Sequence, residues 1–248
     1  MIPQIEQHRS IRKYKPDPVP QYVLEEILTA GTRASNTGNM QLYSMVVTRE
    51  SALREALLPC HFGQRMVVEA PVVVTFCADV RRFSLWCRQR DAEPRYDNFV
   101  WFVNALTDAI LCSQNVALEA ENHGLGICHL GTTVYTADRI AQVLELPVGV
   151  IPVTTVVIGY PAEQPELTDR LPLDGVVHWE AYKDYTPGDI DRIWAAKEAG
   201  ELTARLQAEN ELPNLARIFT DRRYKGEDNV AFSRKYFEIL RTQGFFNQ

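Results

Sequence analysis

The spacing of apolar residues up to Tyr160 predicts both helices and strands. Recurrence every three or four residues is typical of amphipathic helices, and short runs rich in β-branched residues are typical of buried strands. The predicted helices are 21–33, 51–58, 98–122 and 136–146, and the predicted strands are 42–48, 72–78 and 153–160. Because strands and helices follow one another without a regular βαβ rhythm, we expect an α+β fold.

The helix predicted over 98–122 is the longest, and it is apolar on most of its faces. Its main stripe consists of Val103, Leu106, Ile110, Ser113, Val116, Ala117 and Ala120. Trp101, Phe102 and Leu118 lie off that stripe. A helix that is apolar all round is buried all round, so we expect either the spine of a domain or a contact between subunits.

Two other regions lack a clear core pattern. The charged residues 79–97 predict a mobile surface excursion. Beyond Pro161 the composition shifts towards proline, acidic residues and tryptophan, and two helical patterns follow from Asp189. We therefore expect a core over 1–182 and a helical extension over 183–248 that packs on the core or on a partner subunit.

Charge and cysteine content exclude several classes of protein. The 248 residues carry a net charge of −6, which disfavours a general nucleic-acid binder. The five cysteines include no C-x-x-C pair, so neither a zinc site nor a disulfide framework is expected. The chain starts without a signal-peptide pattern and has no apolar run long enough for a membrane span, so we expect a soluble, cytoplasmic protein that binds no membrane.

A cluster of polar residues near the start of the chain suggests anion binding. The run from His8 to Tyr14 reads His-Arg-Ser-Ile-Arg-Lys-Tyr, and proline-rich sequence follows it. Arginine holds phosphate through planar, paired hydrogen bonds, and Arg9 and Arg12 are spaced so that both can reach one anion. Alone, the run is equally compatible with an exposed basic N-terminus.

A dinucleotide-binding fingerprint is not present. That fingerprint places Gly-x-Gly-x-x-Gly directly after the first strand and before a helix. Here Gly124 and Gly126 follow the long helix, and the next glycine, Gly131, has the wrong spacing. We therefore reject a Rossmann domain.

Four motifs, taken in order, resemble those of the nitroreductase superfamily of FMN-dependent oxidoreductases. Residues 9–14 match its Arg-Ser-x-Arg-x-Tyr/Phe start, and residues 34–41 match its loop of small residues ending in Asn-x-Gln. Residues 124–131 match its Gly-Leu-Gly turn and the strand beyond, and Arg-Leu-Pro at 170–172 is similar to the branch of oxygen-insensitive NADPH nitroreductases and flavin reductases.

The resemblance implies a fold and an assembly. Members have a central, mostly antiparallel sheet flanked by helices, and two chains form an intertwined homodimer. Both subunits contribute to each FMN site, the long helix lies at the subunit interface, and the terminal segments embrace the partner. This arrangement would explain why 98–122 is apolar on most faces.

The resemblance also implies a set of FMN-binding residues and no metal. They are His8, Arg9, Ser10, Arg12, Ser35, Asn39, Gln64, His129, Leu130, Gly131 and Arg170. In this interpretation Arg12 pairs with the phosphate, Arg9 faces the ribityl chain or the pyrimidine end of the ring, and the 34–41 loop comes from the opposite subunit. Gln64 and His129 each keep a second reading, as a solvated loop residue and a hydrogen-bonded strand residue respectively.

The implied activity is an NAD(P)H oxidoreductase that reduces nitroaromatics, quinones or flavins by ping-pong hydride transfer. The bound flavin carries that chemistry, so no catalytic side chain is expected. Leu42-Tyr43 replaces the usual Pro-Trp, and Thr168 stands where close relatives often carry lysine. These departures leave open a flavin-binding redox sensor without efficient turnover. A reductive dehalogenase or a flavin-fragmenting enzyme of the same superfamily also stays open.

Overall fold

A computed structural model describes residues 1–247 of the chain. These residues form two compact units. One comprises Met1–Glu166 together with the C-terminal segment from Phe232, and the other comprises Leu167–Ala231. The division predicted near residue 182 stays a prediction, because compactness alone does not show which segments fold independently.

The first unit contains one antiparallel sheet. Its strands are β1 (Tyr43–Thr48), β2 (Val72–Asp79), β3 (Gly126–Leu130) and β4 (Val150–Gly159). They lie in the order β1-β2-β4-β3, so β3 is an edge strand. All three pairings are antiparallel, and a bulge interrupts the β2–β4 register between Phe76 and Cys77. The predicted α+β architecture is confirmed.

The helices flank this sheet or belong to the second unit. They are α1 (Pro3–Glu6), α2 (Gln21–Thr32), α3 (Ser51–Leu57), α4 (Met66–Glu69), α5 (Arg81–Arg88), α6 (Phe99–Asn122), α7 (Ala137–Val143), α8 (Pro187–Glu198), α9 (Glu201–Asn210), α10 (Leu215–Ile218) and α11 (Gly226–Thr242). The described part of the chain includes no helix long and apolar enough to cross a membrane.

The predicted excursion over 79–97 is wrong in its first half, where α5 forms. Asp79 ends β2 and its Oδ1 accepts hydrogen bonds from the backbone N–H groups of Arg81 (2.9 Å) and Arg82 (3.1 Å). A carboxylate that caps free amides in this way stabilises the first turn of a helix. Cys87 lies on the inner face of α5 and is buried. The arginines of α5 (Arg81, Arg82 and Arg88) are exposed on its outer face.

Apolar clusters cover both faces of the sheet. The larger one combines β1, β2 and β4 with α2 and α6, and the smaller one includes Leu57, Val67 and Ile140. β2 is buried along its whole length. Gly31 lets α2 approach α6 closely, because a Cβ at this position would lie 2.6 Å from Cγ2 of Val116.

α6 is buried on one side only within a single chain, so the choice between a domain spine and a subunit contact stays a prediction for its other apolar residues. Asn98 caps the helix, its Oδ1 accepting a hydrogen bond from the Trp101 backbone N–H at 3.3 Å. The buried face carries Phe102, Ala105, Asp108, Ala109, Cys112, Ser113, Val116, Ala117 and Ala120. Val103 and Ile110, which belong to the predicted apolar stripe, are 41% and 47% exposed. The apolar residues at the start of α6 therefore face outwards.

The second unit is helical and has its own small core. Thr186 and Asp189 form a reciprocal capping box at the start of α8. Ile193 of α8 packs against Gly175, where a Cβ would lie 3.0 Å from its Cγ2. A π-helical turn over Phe219–Arg223 follows α10, and Arg217 of α10 pairs with Asp221 of this turn at 2.5 Å. The tail thus holds more helices than the two patterns predicted.

Candidate functional site

The N-terminal segment, residues 8–12, lies along the free edge of β3. Ser10 and Ile127 form a parallel bridge, and the Ile11 backbone N–H donates to the Ile127 carbonyl at 2.9 Å. Ile11 is buried, whereas Arg12 is exposed. Gly126 permits this close approach, since a Cβ there would lie 2.6 Å from Cγ1 of Ile11. Gly126, the first residue of β3, and the unpaired edge of this strand therefore place the two arginines beside β3.

Two contacts hold the backbone of this segment. Glu163 Oε1 accepts hydrogen bonds from the backbone N–H groups of Arg12 (2.7 Å) and Lys13 (3.1 Å). The buried Tyr14 hydroxyl donates to the Ile11 carbonyl at 2.6 Å, and desolvation raises its pKa. Both contacts use main-chain atoms of Arg12 and its neighbours, so they leave the Arg12 guanidinium available.

Arg9 lines a cleft of about 670 Å³ together with Lys15, Glu121 and Glu163. Its Nη1 donates to the Gln7 carbonyl at 3.0 Å. Its Nε is buried and has no hydrogen-bond partner among the described residues. Since an orphaned buried donor costs free energy, this atom marks a position where an additional acceptor would be stabilised.

His8 connects the segment to α6 and to β3. Its Nδ1 lies 2.7 Å from Glu121 Oε1, and burial raises the pKa of Glu121 while His8 lowers it. The pKa of His129 is lowered, first by partial desolvation of its ring and then by the nearby His8, although more than a third of the residue stays exposed. Thr154 lies 3.5 Å from His129 Nδ1. The structure thus brings His8 close to His129.

Ser10 and Arg12 lie close to Cys128 on the other side of the segment. Desolvation raises the pKa of the Cys128 thiol, and the Arg12 charge and a hydrogen bond with Ser10 act in the opposite direction. Cys128 is buried. A buried thiol with a raised pKa is a poor nucleophile, so Cys128 serves here as packing beneath the arginine.

The end of β3 continues into a 3₁₀ turn over Gly131–Tyr135. Leu130 is 2% exposed, so its side chain belongs to the core and only its backbone can contact a ligand. A Cβ at Gly131 would meet no atom within 4 Å, so open space lies next to this position. The turn therefore presents backbone, and little side chain, to its surroundings.

A second segment, residues 60–64, is hydrogen-bonded to the Gly131–Tyr135 turn. His61 Nδ1 lies 2.8 Å from Thr132 Oγ1, and the Thr136 hydroxyl donates to the Cys60 carbonyl at 2.5 Å. His61 is fully buried, which lowers its pKa to about 4. Gln64 follows on this segment, half-buried. Gln64 and Gly131 are thus held on two hydrogen-bonded segments.

Three neighbouring rings form the aromatic trio Phe62, Tyr135 and Phe232. Phe62 and Tyr135 lie on these two segments, and Phe232 belongs to α11. The centroids of Tyr135 and Phe232 are 4.6 Å apart at an interplanar angle of 26°. Phe62 lies 6.3 Å from Tyr135 at 12° and is 54% exposed. Phe62 also has a left-handed backbone, φ 54°, which is strained for a bulky residue. An exposed, strained aromatic residue two positions before Gln64 indicates a ligand-facing surface.

Ser35 and Asn39 belong to a different part of the subunit. Both are exposed on the loop between α2 and β1, which is hydrogen-bonded to Asp108 of α6. Within residues 1–247, no hydrogen bond or ion pair joins either residue to the N-terminal segment. One copy of the chain therefore does not show these residues in one site.

Arg170 belongs to the second unit. Its Nη1 donates to Thr168 Oγ1 at 2.6 Å and to the carbonyls of Thr168 and Asp169 at 3.1 and 3.0 Å. Thr168, which stands where close relatives often carry lysine, thus accepts a hydrogen bond from Arg170, a predicted FMN-binding residue.

Sequence reasoning missed three acidic residues that organise the site. Glu121, Glu163 and Asp108 hold His8, the Arg12 backbone and the 34–42 loop respectively. Asp108 carried a detectable signal, because it interrupts the apolar face formed by Ala105, Ala109 and Cys112 at helical spacing. A carboxylate on such a face is normally paired. Glu163 follows β4 in an irregular stretch, and its spacing carries no comparable signal.

Comparisons of the sequence with known proteins identify a matching family model. Residues 5–160 match the model of the Nitroreductase family. An oxygen-insensitive NADPH nitroreductase of Salmonella typhimurium is 32% identical over 176 residues, which cover 71% of this chain and 72% of that protein.

Solved structures extend the likeness to the whole chain. A crystal structure from Bacteroides fragilis has a TM-score of 0.97 and 46% identity, covering 98% of this chain and 99% of that chain. The NADPH:FMN oxidoreductase of Vibrio harveyi, solved in complex with NAD⁺, has a TM-score of 0.82 and 25% identity, covering 100% and 99% respectively. The chain belongs to the Nitroreductase family.

Proposed function

We propose that this chain holds FMN beside the free edge of β3 in a homodimer and uses it to pass electrons from NAD(P)H to flat aromatic acceptors. The coarser activity follows from membership of the family, whose members depend on FMN, and from relatives that act on NADPH. The chain is an NAD(P)H-dependent flavin oxidoreductase.

The observation that carries the proposed site is the position of the N-terminal segment along β3, the strand that leads into the Gly131–Tyr135 turn. The residues fit FMN in two respects. Arg9 has a buried Nε without a partner among the described residues, and the space at Gly131 is open. A phosphate or a flavin carbonyl would give the orphaned donor an acceptor, and a backbone without Cβ allows a planar ring to approach.

The protein's own residues would then bind and orient the cofactor. Arg12 would pair with the phosphate, Arg9 would donate towards the ribityl chain or the pyrimidine end, and Gln64 would hydrogen-bond the ring edge. A fixed positive charge near the pyrimidine stabilises the negative charge of a reduced flavin. The electron-transfer chemistry comes from the bound cofactor, to which the nicotinamide gives hydride and from which the acceptor takes it.

The aromatic trio supports nitroaromatics, quinones and flavins as the acceptor class. Phe62 and Tyr135 lie on the two segments that carry Gln64 and Gly131, and Phe62 exposes its ring. Offset stacking between flat rings stabilises a complex beyond simple area burial. A flat acceptor would therefore be held close to the isoalloxazine ring.

Exposed apolar residues on α6 support a homodimer. Phe99, Val100, Val103, Ile110 and Leu111 are 39–64% exposed in a single chain. Several exposed, large apolar side chains on one helix are typical of an interface between subunits. Association through α6 would also bring the 34–42 loop, which α6 supports, to a partner's N-terminal segment.

Anaerobic titration followed by steady-state turnover tests this function. The purified protein should carry FMN that NADPH or NADH bleaches, and a nitroaromatic or a quinone should restore the colour repeatedly. Because the electron donor and the acceptor would use the same face of the flavin in turn, double-reciprocal plots of rate against donor at several acceptor concentrations should be parallel. Reduction that occurs once and is not followed by turnover would refute the enzyme and favour a redox sensor.

A further inference from the structure

Asp108 is a buried carboxylate with a specific set of partners. It is 1% exposed and lies in the middle of α6. Its Oδ1 accepts hydrogen bonds from the Thr37 backbone N–H (2.9 Å) and the Thr37 hydroxyl (3.1 Å), and its Oδ2 accepts one from the Leu42 backbone N–H (3.1 Å). All three donors lie at the ends of one loop, so this carboxylate bridges residues 37 and 42.

The loop between these two residues has a strained backbone. Gly38, Asn39 and Gln41 have φ values of 55°, 56° and 54°. Left-handed conformations are unfavourable for residues other than glycine and persist only where surrounding contacts enforce them. The Asn36 side chain adds one such contact, accepting a hydrogen bond from the Gln41 backbone N–H at 3.2 Å. Arg82 holds the Gln41 carbonyl, and Asp108 fixes both ends of the loop from outside it.

We propose that Asp108 is a positioning residue for FMN binding, acting through the loop that presents Ser35 and Asn39. This inference rests on the proposed function, in which those two residues contact the cofactor of the partner subunit. The same helix carries the exposed apolar stripe, so α6 both forms the interface and sets the shape of the loop beside it. Subunit association and cofactor binding are thereby linked through one carboxylate.

Asp108→Asn tests the positioning role with little change in volume. An amide has one acceptor oxygen, so in either orientation one of the two backbone N–H groups, that of Thr37 or of Leu42, loses its acceptor. FMN should bind at least tenfold more weakly in fluorescence titrations, because a relaxed loop must be reordered on binding. Thr37→Val should show a smaller loss in the same direction, and Thr37→Ser, which keeps the hydroxyl, should bind like the wild type.

Val74→Ala is the matched control for general destabilisation. Val74 is fully buried in β2 and makes no contact with the loop through hydrogen bonds. It should lower the melting temperature while leaving the FMN dissociation constant unchanged. If Asp108→Asn lowers only the melting temperature and binds FMN like the wild type, the positioning role is wrong. If the wild type itself binds no FMN, the proposed function has failed instead.

A mixed dimer tests whether the loop acts across the interface. One subunit carries Arg12→Ala and the other carries Asp108→Asn, each with its own affinity tag. If the loop serves the partner's site, both defects fall in one site and the dimer binds one FMN with wild-type affinity. If each site shows one defect and neither binds with wild-type affinity, the loop acts within its own subunit and the link through α6 is wrong.

Discussion

Replacement of Arg12 by alanine separates binding from folding more cleanly than any other change at the site. The Arg12 backbone N–H donates to Glu163 at 2.7 Å, and the variant keeps this bond. Arg12 is exposed, and among residues 1–247 its guanidinium donates only to the Ser10 carbonyl, at 3.5 Å. The free energy of unfolding should therefore change by less than about 0.5 kcal/mol, as for an ordinary surface substitution.

FMN affinity should respond strongly. A hydrogen bond to a charged group contributes about 1.5–3 kcal/mol, so the FMN dissociation constant should rise about 10- to 150-fold. Riboflavin lacks the phosphate, and its weaker binding should change by less than about threefold if Arg12 contacts only the phosphate. Titration of tryptophan or flavin fluorescence measures both ligands in the same buffer.

Two comparisons make the result decisive. Arg95→Ala removes an exposed arginine that pairs with Glu93 at 3.3 Å, and it should bind FMN like the wild type. Arg9→Ala should weaken FMN and riboflavin by similar factors, because Arg9 is assigned to the ribityl chain or the ring. An Arg12→Ala variant with unchanged FMN affinity would refute the assignment. Equal losses of affinity for FMN and riboflavin would show that Arg12 contacts the ring and not the phosphate.

Three other outcomes follow from the packing and the buried groups. Phe62→Leu should lower kcat/KM for quinones and nitroaromatics about twofold to tenfold through lost stacking, and turnover with ferricyanide should stay unchanged. An equal loss with aromatic acceptors and with ferricyanide would contradict an acceptor surface at Phe62. Gly31→Ala should lower the free energy of unfolding, measured by urea denaturation, by about 1–2 kcal/mol, because the new methyl group meets Val116 at 2.6 Å. Gly226→Ala, at a position with open space around it, should have little effect. Burial lowers the pKa of His61 to about 4, so protonation of this side chain at acid pH opposes folding. The free energy of unfolding should therefore fall by up to about 3 kcal/mol as the pH drops from 6.5 to 4, and His61→Asn should remove this loss. Identical pH profiles for the two proteins would show that His61 is not the cause.

The elements with strong apolar patterns were predictable from sequence. β2 is buried on both faces and reads as a continuous apolar run, and α2 follows Pro20 with a clear stripe. α5 was missed because its helix-defining contact is the carboxylate of Asp79 at the end of β2, whereas its own eight residues are too few to show a clear apolar period. Tertiary capping of this kind leaves no periodic signal in the helix itself.

The site was predictable as a set of motifs and less so as an arrangement. The motif at residues 9–14 predicted anion-binding chemistry, and the structure places this segment along the free edge of β3, in contact with Ile127. The acidic residues that hold these segments lie far away in sequence, at positions 108, 121 and 163, and only the folded chain brings them together. The exposure of Val103 and Ile110 is likewise invisible to periodicity, since an interface stripe and a core stripe share one pattern.

A crystal structure of the protein with FMN would show directly whether the N-terminal arginines hold the cofactor beside β3. We expect a dimer in which the guanidinium groups of Arg9 and Arg12 contact one flavin nucleotide. We also expect that Ser35 and Asn39 of the other chain complete the same site. Crystals that hold a monomer, or a dimer whose FMN lies away from the edge of β3, would contradict this expectation.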